Sequence, residues 1–167
     1  AEYKKKLDSG HLMPDRAQAV LAEQLQTLLQ KIETLENYSK SFTWKKRLGF
    51  KENYQVEIKG LYIYGDVGRG KSMLMDLFYS SIQIKKKRRV HFHAFLQDIH
   101  LRFNLFRKNN PEGGDPVPTV VKSIVEESKL LCFDELQVVN IVDAMILGRL
   151  FEGLLSHNVI IIATSNR

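Results

Sequence analysis

The chain has 167 residues, of which 44% are hydrophobic and 26% are charged, which are the proportions of a globular domain with a buried core. Ten glycines and four prolines are too few for collagen-like order, and the single cysteine, Cys132, excludes a disulfide framework and a cysteine-based zinc site. The net charge of +6 permits contact with nucleic acid or acidic membranes without requiring it, and the apolar runs are far shorter than the ~20 residues of a membrane span.

The first part of the chain predicts a long helix followed by a connector. Pro14 suits a first helical turn, and apolar side chains at steps of four and three predict one helix over residues 14–37. The stripe is too short for an intermolecular coiled coil and favours packing within the chain's own domain. Residues 38–60 are mixed and lysine-rich, which predicts an irregular, partly helical connector. We therefore assign residues 1–60 to an N-terminal segment that packs on a core formed by residues 61–167.

From residue 61 onward, short apolar strands alternate with helices. The predicted strands are Leu61–Tyr64, Val90–Phe95, Leu130–Phe133 and Val159–Ala163. The predicted helices cover residues 71–82, 141–155 and shorter stretches around Ile99–Phe106 and Val120–Val125, with a loop over Asn109–Pro118. This alternation predicts an α/β fold, a parallel sheet with helices on both faces. Ligands of such sheets bind beyond the carboxyl ends of the strands.

A glycine-rich loop follows the first predicted strand. Residues 65–72, GDVGRGKS, fit the phosphate-binding pattern G-x-x-x-x-G-K-[ST] between a strand and an amphipathic helix. Its backbone N–H groups can converge on an anion, aided by the positive end of the helix dipole. Lys71 can reach the outer phosphates, and the Ser72 hydroxyl can ligate magnesium. The predicted nucleotide-binding residues are Gly65, Asp66, Val67, Gly68, Arg69, Gly70, Lys71, Ser72 and Met73. The alternative is a chance match on a glycine-rich turn, and we expect the Asp66 side chain to point outward.

Two carboxylates end the strand Leu130–Phe133. Placed beside the strand of the glycine-rich loop, Asp134 would lie near magnesium, directly or through water, and Glu135 would act as general base on the attacking water. The alternative for both is an ordinary solvated strand end. Cys132, on the same strand, is most simply a buried small apolar residue.

The last predicted strand ends in the polar residues Thr164, Ser165 and Asn166. If this strand lies between the loop strand and the acidic strand, Asn166 can hold the water near the γ-phosphate; the alternative is a turn-forming asparagine. We therefore predict four parallel strands in the order first, fourth, third, second. Adjacent first and third strands would contradict this order.

Two further groups of residues have less specific patterns. His91 and His93 lie two apart in a predicted strand and hence on one face. A metal pair lacks obvious partners, a contact of His93 with Glu135 is an alternative, and a packed or surface histidine is favoured. The run Lys85–Arg89 favours a solvated charged turn, with electrostatic contact to nucleic acid or to an acidic partner as the alternative.

These motifs resemble ATPases of the AAA+ superfamily, and more narrowly the ZapE cell-division ATPase family with its mitochondrial, lactation-elevated-protein-like relatives. The strings that carry the resemblance are GDVGRGKSMLMDLF (65–78), KRRVHFHAF (87–95), LCFDELQV (131–138), DAMILGRLF (143–151) and ATSNR (163–167). The resemblance covers nearly the whole chain. Leu136 and Asn140 depart mildly from the family pattern, where an aromatic and an acidic residue are expected.

The resemblance implies an AAA+ type P-loop NTPase core that binds ATP or ADP with Mg²⁺ and works on a protein client. For a bacterial protein it implies a role in the cell-division machinery, in the cytoplasm or peripheral to the inner membrane. For a mitochondrial protein it implies a location in the matrix and a role in protein quality control at the inner membrane. The resemblance further implies that the full-length protein can form a homo-oligomer, and that a fifth strand, an arginine finger and a helical lid follow the asparagine strand. We therefore expect a truncated core that is mainly monomeric and turns ATP over poorly.

Three other classes of nucleotide-binding protein share some of these features. A nucleotide kinase shares the phosphate loop but needs an acceptor site and does not explain Glu135 together with Asn166. A GTPase would carry an Asn-Lys-x-Asp guanine reader, which the sequence lacks. A nucleotide-binding scaffold without turnover is disfavoured for the whole protein by Lys71, Asp134 and Glu135, but it stays open for this truncated form.

Overall fold

The centre of the fold is one parallel sheet. The computed structural model describes residues 16–47, 60–65 and 69–166, with side chains within 19–34, 60–63 and 70–165. Its strands are β1 (Leu61–Gly65), β2 (Lys87–His91), β3 (Leu130–Asp134) and β4 (Ile160–Asn166). They form a four-stranded sheet in the order β1-β4-β3-β2, and every adjacent pair is parallel. The predicted parallel sheet and its strand order are confirmed.

The strands are aligned so that their carboxyl ends meet at one edge, which we call the carboxyl edge. Gly65 of β1 pairs with Asn166 of β4, and His91 of β2 pairs with Asp134 of β3. Phe133 of β3 pairs with Ala163 of β4, which brings the polar end of β4 beside the acidic end of β3.

Five helices lie in the described residues, and the chain divides into two compact units. The helices are α1 (Arg16–Arg47), α2 (Arg69–Ser81), α3 (Phe92–Asn109), α4 (Pro116–Glu127) and α5 (Ile141–Ser156). One unit comprises residues 1–58 and 68–84, and the other comprises residues 59–67 and 85–167. No helix in the described ranges has both the length and the apolarity that crossing a membrane requires. The packing of residues 1–60 on the core stays a prediction.

In the first unit, α1 packs against α2. Leu25, Leu28 and Ile32 are buried on one side of α1, which confirms the helical period of the apolar stripe. The helix continues to Arg47, ten residues beyond its predicted end at residue 37. The connector, predicted as irregular and partly helical, is helical over residues 38–47, where no helix-breaking glycine or proline occurs before Gly49. Residues 48–59 of the connector lie outside the described residues.

In the second unit, α3, α4 and α5 cover one face of the sheet. Phe133 of β3 is fully buried and is surrounded by aromatic rings: its ring centroid lies 4.7 Å from that of Phe95, 5.6 Å from Phe92 and 5.8 Å from Phe151. Such aromatic contacts add specific geometry to the burial of apolar area. This buried aromatic cluster thus lies directly before Asp134 and Glu135 in the chain.

The strand predicted over Val90–Phe95 is wrong in its boundaries. Strand β2 ends at His91 and α3 begins at Phe92. Phe92, Phe95 and Ile99 are all buried on one face of α3, so the helical period already starts at Phe92. His93 therefore does not share a strand face with His91. Both histidines are exposed, as favoured from the sequence, and His93 contacts Gln97 one turn later at 3.3 Å.

Two helices begin at polar caps. Asp115 accepts a hydrogen bond from the Val117 N–H at 3.1 Å, and Pro116 occupies the first helical position. The predicted loop Asn109–Pro118 therefore ends three residues early. Asn140 accepts from the Val142 N–H at 2.8 Å at the start of α5. An aspartate would cap equally well, which explains why Asn140 can stand where the resembling family favours an acid.

The two glycines of α5 make a matched pair for a stability prediction. A Cβ added at Gly153 would lie 2.8 Å from Val121 Cγ2, whereas one added at Gly148 meets nothing within 4 Å. Val121 is buried and β-branched, so it cannot swing aside. We expect Gly153→Ala to destabilise the protein by about 1–3 kcal/mol and Gly148→Ala to stabilise it by about 0.5–1 kcal/mol. Urea denaturation measures both; equal effects would contradict the close packing of α4 on α5.

An ion-pair network ties α3 to β2 and α4. Arg102 contacts Asp98 at 3.2 Å and Glu127 at 2.8 Å, and Arg88 contacts Asp98 at 3.0 Å. Burial opposes ionisation of Asp98, but hydrogen bonds and charges from Arg102 and Arg88 outweigh it and lower the pKa of this carboxyl. The hydrogen bond from Arg102 likewise lowers the pKa of Glu127.

A pH dependence of stability follows from the lowered pKa of Asp98. A carboxyl whose pKa is lower in the folded state stabilises the fold above the unfolded value of about 3.9, and this contribution is lost as pH falls through the folded pKa. Asp98→Asn should therefore destabilise the protein at pH 7 and progressively less below about pH 4. Urea denaturation at several pH values measures this; a loss of equal size at pH 3 and pH 7 would assign it to packing instead.

Candidate nucleotide-binding site

The glycine-rich loop joins β1 to α2. β1 ends at Gly65 and α2 begins at Arg69, so Gly70, Lys71 and Ser72 form the first helical turn. The predicted strand before the loop and helix after it are therefore present. In this turn Gly70, Lys71 and Met73 are partly buried and Ser72 is exposed. Residues 66–68, Asp66, Val67 and Gly68, lie outside the described residues, and so does the predicted outward direction of Asp66.

Asp134 ends β3 in a two-pronged ion pair that sequence analysis missed. Arg89 of β2 donates from Nε to Asp134 Oδ2 at 2.7 Å and from Nη2 to Oδ1 at 3.1 Å. The two side chains are only 21% and 15% exposed. Paired, charge-assisted hydrogen bonds of this kind fix orientation as well as adding energy. Arg89 directly precedes the strand that was predicted over Val90–Phe95, so the prediction left it outside the sheet. The observed strand β2 includes Arg89, which is why its pairing with Asp134 was not predicted.

Glu135, the predicted general base, has an unusual backbone. Its φ is 58°, in the left-handed region that costs a non-glycine residue roughly 1–2 kcal/mol. Its side chain is exposed. Residues in such conformations persist only where surrounding contacts maintain them, and they are found most often at functional sites.

Thr164 of β4 supplies those contacts. Its carbonyl oxygen accepts from the Leu136 N–H at 2.7 Å. Its hydroxyl accepts from the Glu135 N–H and donates to the Phe133 carbonyl oxygen, each at 3.4 Å. Thr164 is buried. A threonine of the neighbouring strand thus holds the backbone on both sides of the unusual residue, a role that sequence analysis did not assign.

Asn166 is brought to the carboxyl edge by its backbone. It pairs with Gly65, the first residue of the glycine-rich loop motif. Its side chain lies outside the described part of the chain, so its contact with the attacking water stays a prediction. The structure brings together the strand ends that carry Gly65, Asn166, Asp134 and Glu135.

The acidic end of β3 fits a magnesium ion held partly by nucleotide. Within the described residues, no three His, Cys, Asp or Glu side chains cluster as a protein-only metal cage. Mg²⁺ keeps several waters and binds through one or two carboxylates together with substrate phosphates. Each Asp134 oxygen accepts one hydrogen bond from Arg89 and retains acceptor capacity. The Asp134 carboxylate therefore fits a magnesium site, whether it acts directly or through water.

The comparisons with known proteins agree with this arrangement. The sequence profile described as AFG1-like ATPase matches residues 1–167. The chain belongs to the AFG1-like ATPase family. The resemblance to ZapE and its lactation-elevated-protein-like relatives is confirmed by individual proteins as well. Cell division protein ZapE of Escherichia coli is 32% identical over 175 residues, covering 99% of this chain and 45% of that protein.

One further relative and one solved structure match the chain with different coverage. Lactation elevated protein 1 homolog B of Danio rerio is 50% identical over 116 residues, covering 65% of this chain and 23% of that protein. The structure of AMPPCP-bound DnaA from Aquifex aeolicus shares the fold, with a TM-score of 0.55 at 16% identity, and covers 93% of this chain and 40% of that one. The chain spans less than half the length of each of these proteins.

The basic run Lys85–Arg89 of this AFG1-like ATPase chain differs from its predicted structure. The interpretation of Lys85–Arg89 as a solvated turn is wrong for its second half, because Lys87–Arg89 belong to β2 and both arginines are paired with carboxylates. Nucleic-acid contact through this run stays a prediction.

Cys132 is fully buried, and burial raises the pKa of its thiol to about 12, which confirms it as an apolar core residue.

Proposed function

We propose that the protein containing this chain is a magnesium-dependent ATPase whose nucleotide cycle remodels a protein partner. The observation that carries the proposal is the carboxyl edge, where Asp134 ends β3 and Glu135 follows it, beside the polar end of β4. Strand β4 in turn pairs with β1, which leads into the glycine-rich loop. Membership of the AFG1-like ATPase family supports ATP as the nucleotide.

Binding is assigned to the loop and the helix that follows it. Residues 65–73 surround the phosphates with backbone N–H groups, and Lys71 contacts charge on the outer phosphates. Ser72 and Asp134 would hold Mg²⁺, which neutralises phosphate charge when it is bound. These roles rest on the motif and on the family.

Hydrolysis is assigned to the ends of β3 and β4. Glu135 accepts a proton from water while the water oxygen forms a bond to the γ-phosphorus. The bond between the γ-phosphorus and its bridging oxygen breaks, and ADP leaves with the electron pair. Asn166 orients the attacking water. The left-handed backbone of Glu135, held by Thr164, supports a fixed direction for this carboxylate.

The partner is proposed to be a protein. The relative from Escherichia coli is named a cell division protein, which supports division machinery in the bacterial cytoplasm or at the inner membrane. Protein quality control at the mitochondrial inner membrane, reached from the matrix, is the corresponding proposal for a mitochondrial member. In either setting we propose that the full-length protein acts as a homo-oligomer.

The deciding experiment measures ATP binding and phosphate release by the full-length protein. We expect phosphate release that requires Mg²⁺ and changes on addition of candidate division or membrane proteins. DNA is added in a parallel series to test the basic run. Binding without phosphate release would favour a nucleotide-binding scaffold, and transfer of phosphate to an added nucleotide would favour a kinase. Either result would overturn the proposal.

A further inference from the structure

Adjacent arginines of β2 point to opposite faces of the sheet. Arg88 pairs with Asp98 of α3, on the face that α3, α4 and α5 cover. Arg89 pairs with Asp134, on the other face. This division follows from the strand, whose successive side chains alternate between faces.

The register places Arg89 diagonally across from Asp134. Arg89 pairs with Cys132, two residues before Asp134 on β3, and His91 stands directly opposite Asp134. Diagonal neighbours on one face are within reach of long side chains. An arginine at this position can therefore reach Asp134 along the face of the sheet, from the side of the strand interior.

The planar fork of Arg89 engages both oxygens of Asp134, at 2.7 and 3.1 Å. Such a fork fixes the plane of a carboxylate, which a lysine ammonium cannot do. The cationic fork also opposes direct approach of a second cation to the same oxygens. Acceptor capacity remains on each oxygen for a hydrogen-bond donor such as water.

We propose that Arg89 is a positioning residue: it orients the Asp134 carboxylate to accept hydrogen bonds from water bound to the Mg²⁺ of the nucleotide complex. The inference rests on the proposed function, because it needs a metal–nucleotide complex at the carboxyl edge. Groups that hydrogen-bond to a metal's direct ligands typically contribute about 10–100-fold to metal affinity. Asp134 is such a group in this proposal and Arg89 orients it, so we expect an effect at the lower end of this range. A merely structural role would instead tie β2 to β3, which the backbone pairing over Lys87–His91 already does.

The test compares Arg89→Lys with Arg88→Lys in the full-length protein. Both substitutions keep the charge and remove an arginine fork from the same strand, but only Arg89 contacts Asp134. The measurement is Mn²⁺ binding to the ADP complex, followed by electron paramagnetic resonance, with ADP affinity in EDTA measured separately. We expect Arg89→Lys to weaken Mn²⁺ binding about 10-fold, and Arg88→Lys to change it less than about twofold.

A double-mutant cycle tests whether Arg89 acts through Asp134. In an Asp134→Asn background, Arg89→Lys should change Mn²⁺ affinity less than about twofold, because the effects of coupled residues are not additive. Arg89→Gln is measured in parallel with thermal melting of every variant, so that at least one folded variant decides the matter. Equal Mn²⁺ affinity of wild type and folded Arg89 variants, or a full Arg89 effect in the Asp134→Asn background, would overturn the proposal.

The same measurements separate this inference from the proposed function. A wild-type protein that binds neither ADP nor ATP contradicts both. A wild-type protein that binds nucleotide and Mn²⁺ and hydrolyses ATP, with Arg89→Lys unchanged in metal affinity, contradicts only the role of Arg89.

Discussion

Glu135→Gln in the full-length protein is expected to lower ATP turnover by at least ~10², while ATP affinity stays unchanged or becomes slightly tighter. General-base catalysis contributes ~10²–10⁴ in rate, which is ~3–5 kcal/mol of barrier. The glutamine keeps the shape but cannot accept the proton of the attacking water. It also removes a negative charge near the phosphates. Single-turnover hydrolysis and equilibrium ATP binding separate the two effects.

Glu152→Gln is the matched control, because Glu152 is an exposed glutamate on α5. It should hydrolyse ATP at the wild-type rate. If Glu135→Gln also hydrolyses ATP at nearly that rate, Glu135 is a structural strand-end carboxylate and the base lies elsewhere. If Glu135→Gln weakens ATP binding as severely as Lys71→Ala does, Glu135 instead binds the metal or stabilises the fold.

Lys71→Ala is expected to weaken ATP binding and hydrolysis together. Lys71 is assigned to charge already present on bound ATP, so its loss affects the ground state as well as the transition state. A hydrogen bond to a charged group contributes about 1.5–3 kcal/mol, or roughly 10–100-fold in the dissociation constant. Equilibrium titration with a fluorescent ATP analogue in Mg²⁺ measures the loss.

Lys122→Ala, at an exposed position of α4, is the control for removing one positive charge. It should bind ATP as the wild type does. An Lys71→Ala protein with wild-type affinity but slow hydrolysis would restrict Lys71 to the transition state. Wild-type behaviour in both measurements would remove Lys71 from the site.

The strand order was predictable because the chemistry of the strand ends constrained it. A glycine-rich loop after one strand and carboxylates after another left one place for the polar strand, and the observed order β1-β4-β3-β2 agrees. The boundary between β2 and α3 was not predictable in the same way. Val90, Phe92 and Phe95 fit both a strand and the start of a helix, and only burial of Phe92 and Phe95 against Phe133 decides between them.

The contacts that shape the acidic end were beyond sequence reasoning for a related reason. The pairing of Arg89 with Asp134 depends on the register of β2 against β3, which a misplaced strand conceals. The left-handed backbone of Glu135 depends on hydrogen bonds with Thr164, which lies 29 residues later in the chain, on β4. Local propensity would place a glycine at such a backbone position, so tertiary contacts override it here.

The contacts of Thr164 limit the residue types that can replace it. The residue must be small enough to be buried in a strand, must carry a hydroxyl that both donates and accepts, and is favoured there if it is β-branched. Valine fills the space but has no hydroxyl, and serine keeps the hydroxyl but lacks the methyl group. Valine would therefore lose the contact with the Glu135 backbone, and serine would lose the β-branch that suits a buried strand position. We expect few substitutions to be tolerated at this position, although Thr164 itself has no proposed contact with nucleotide.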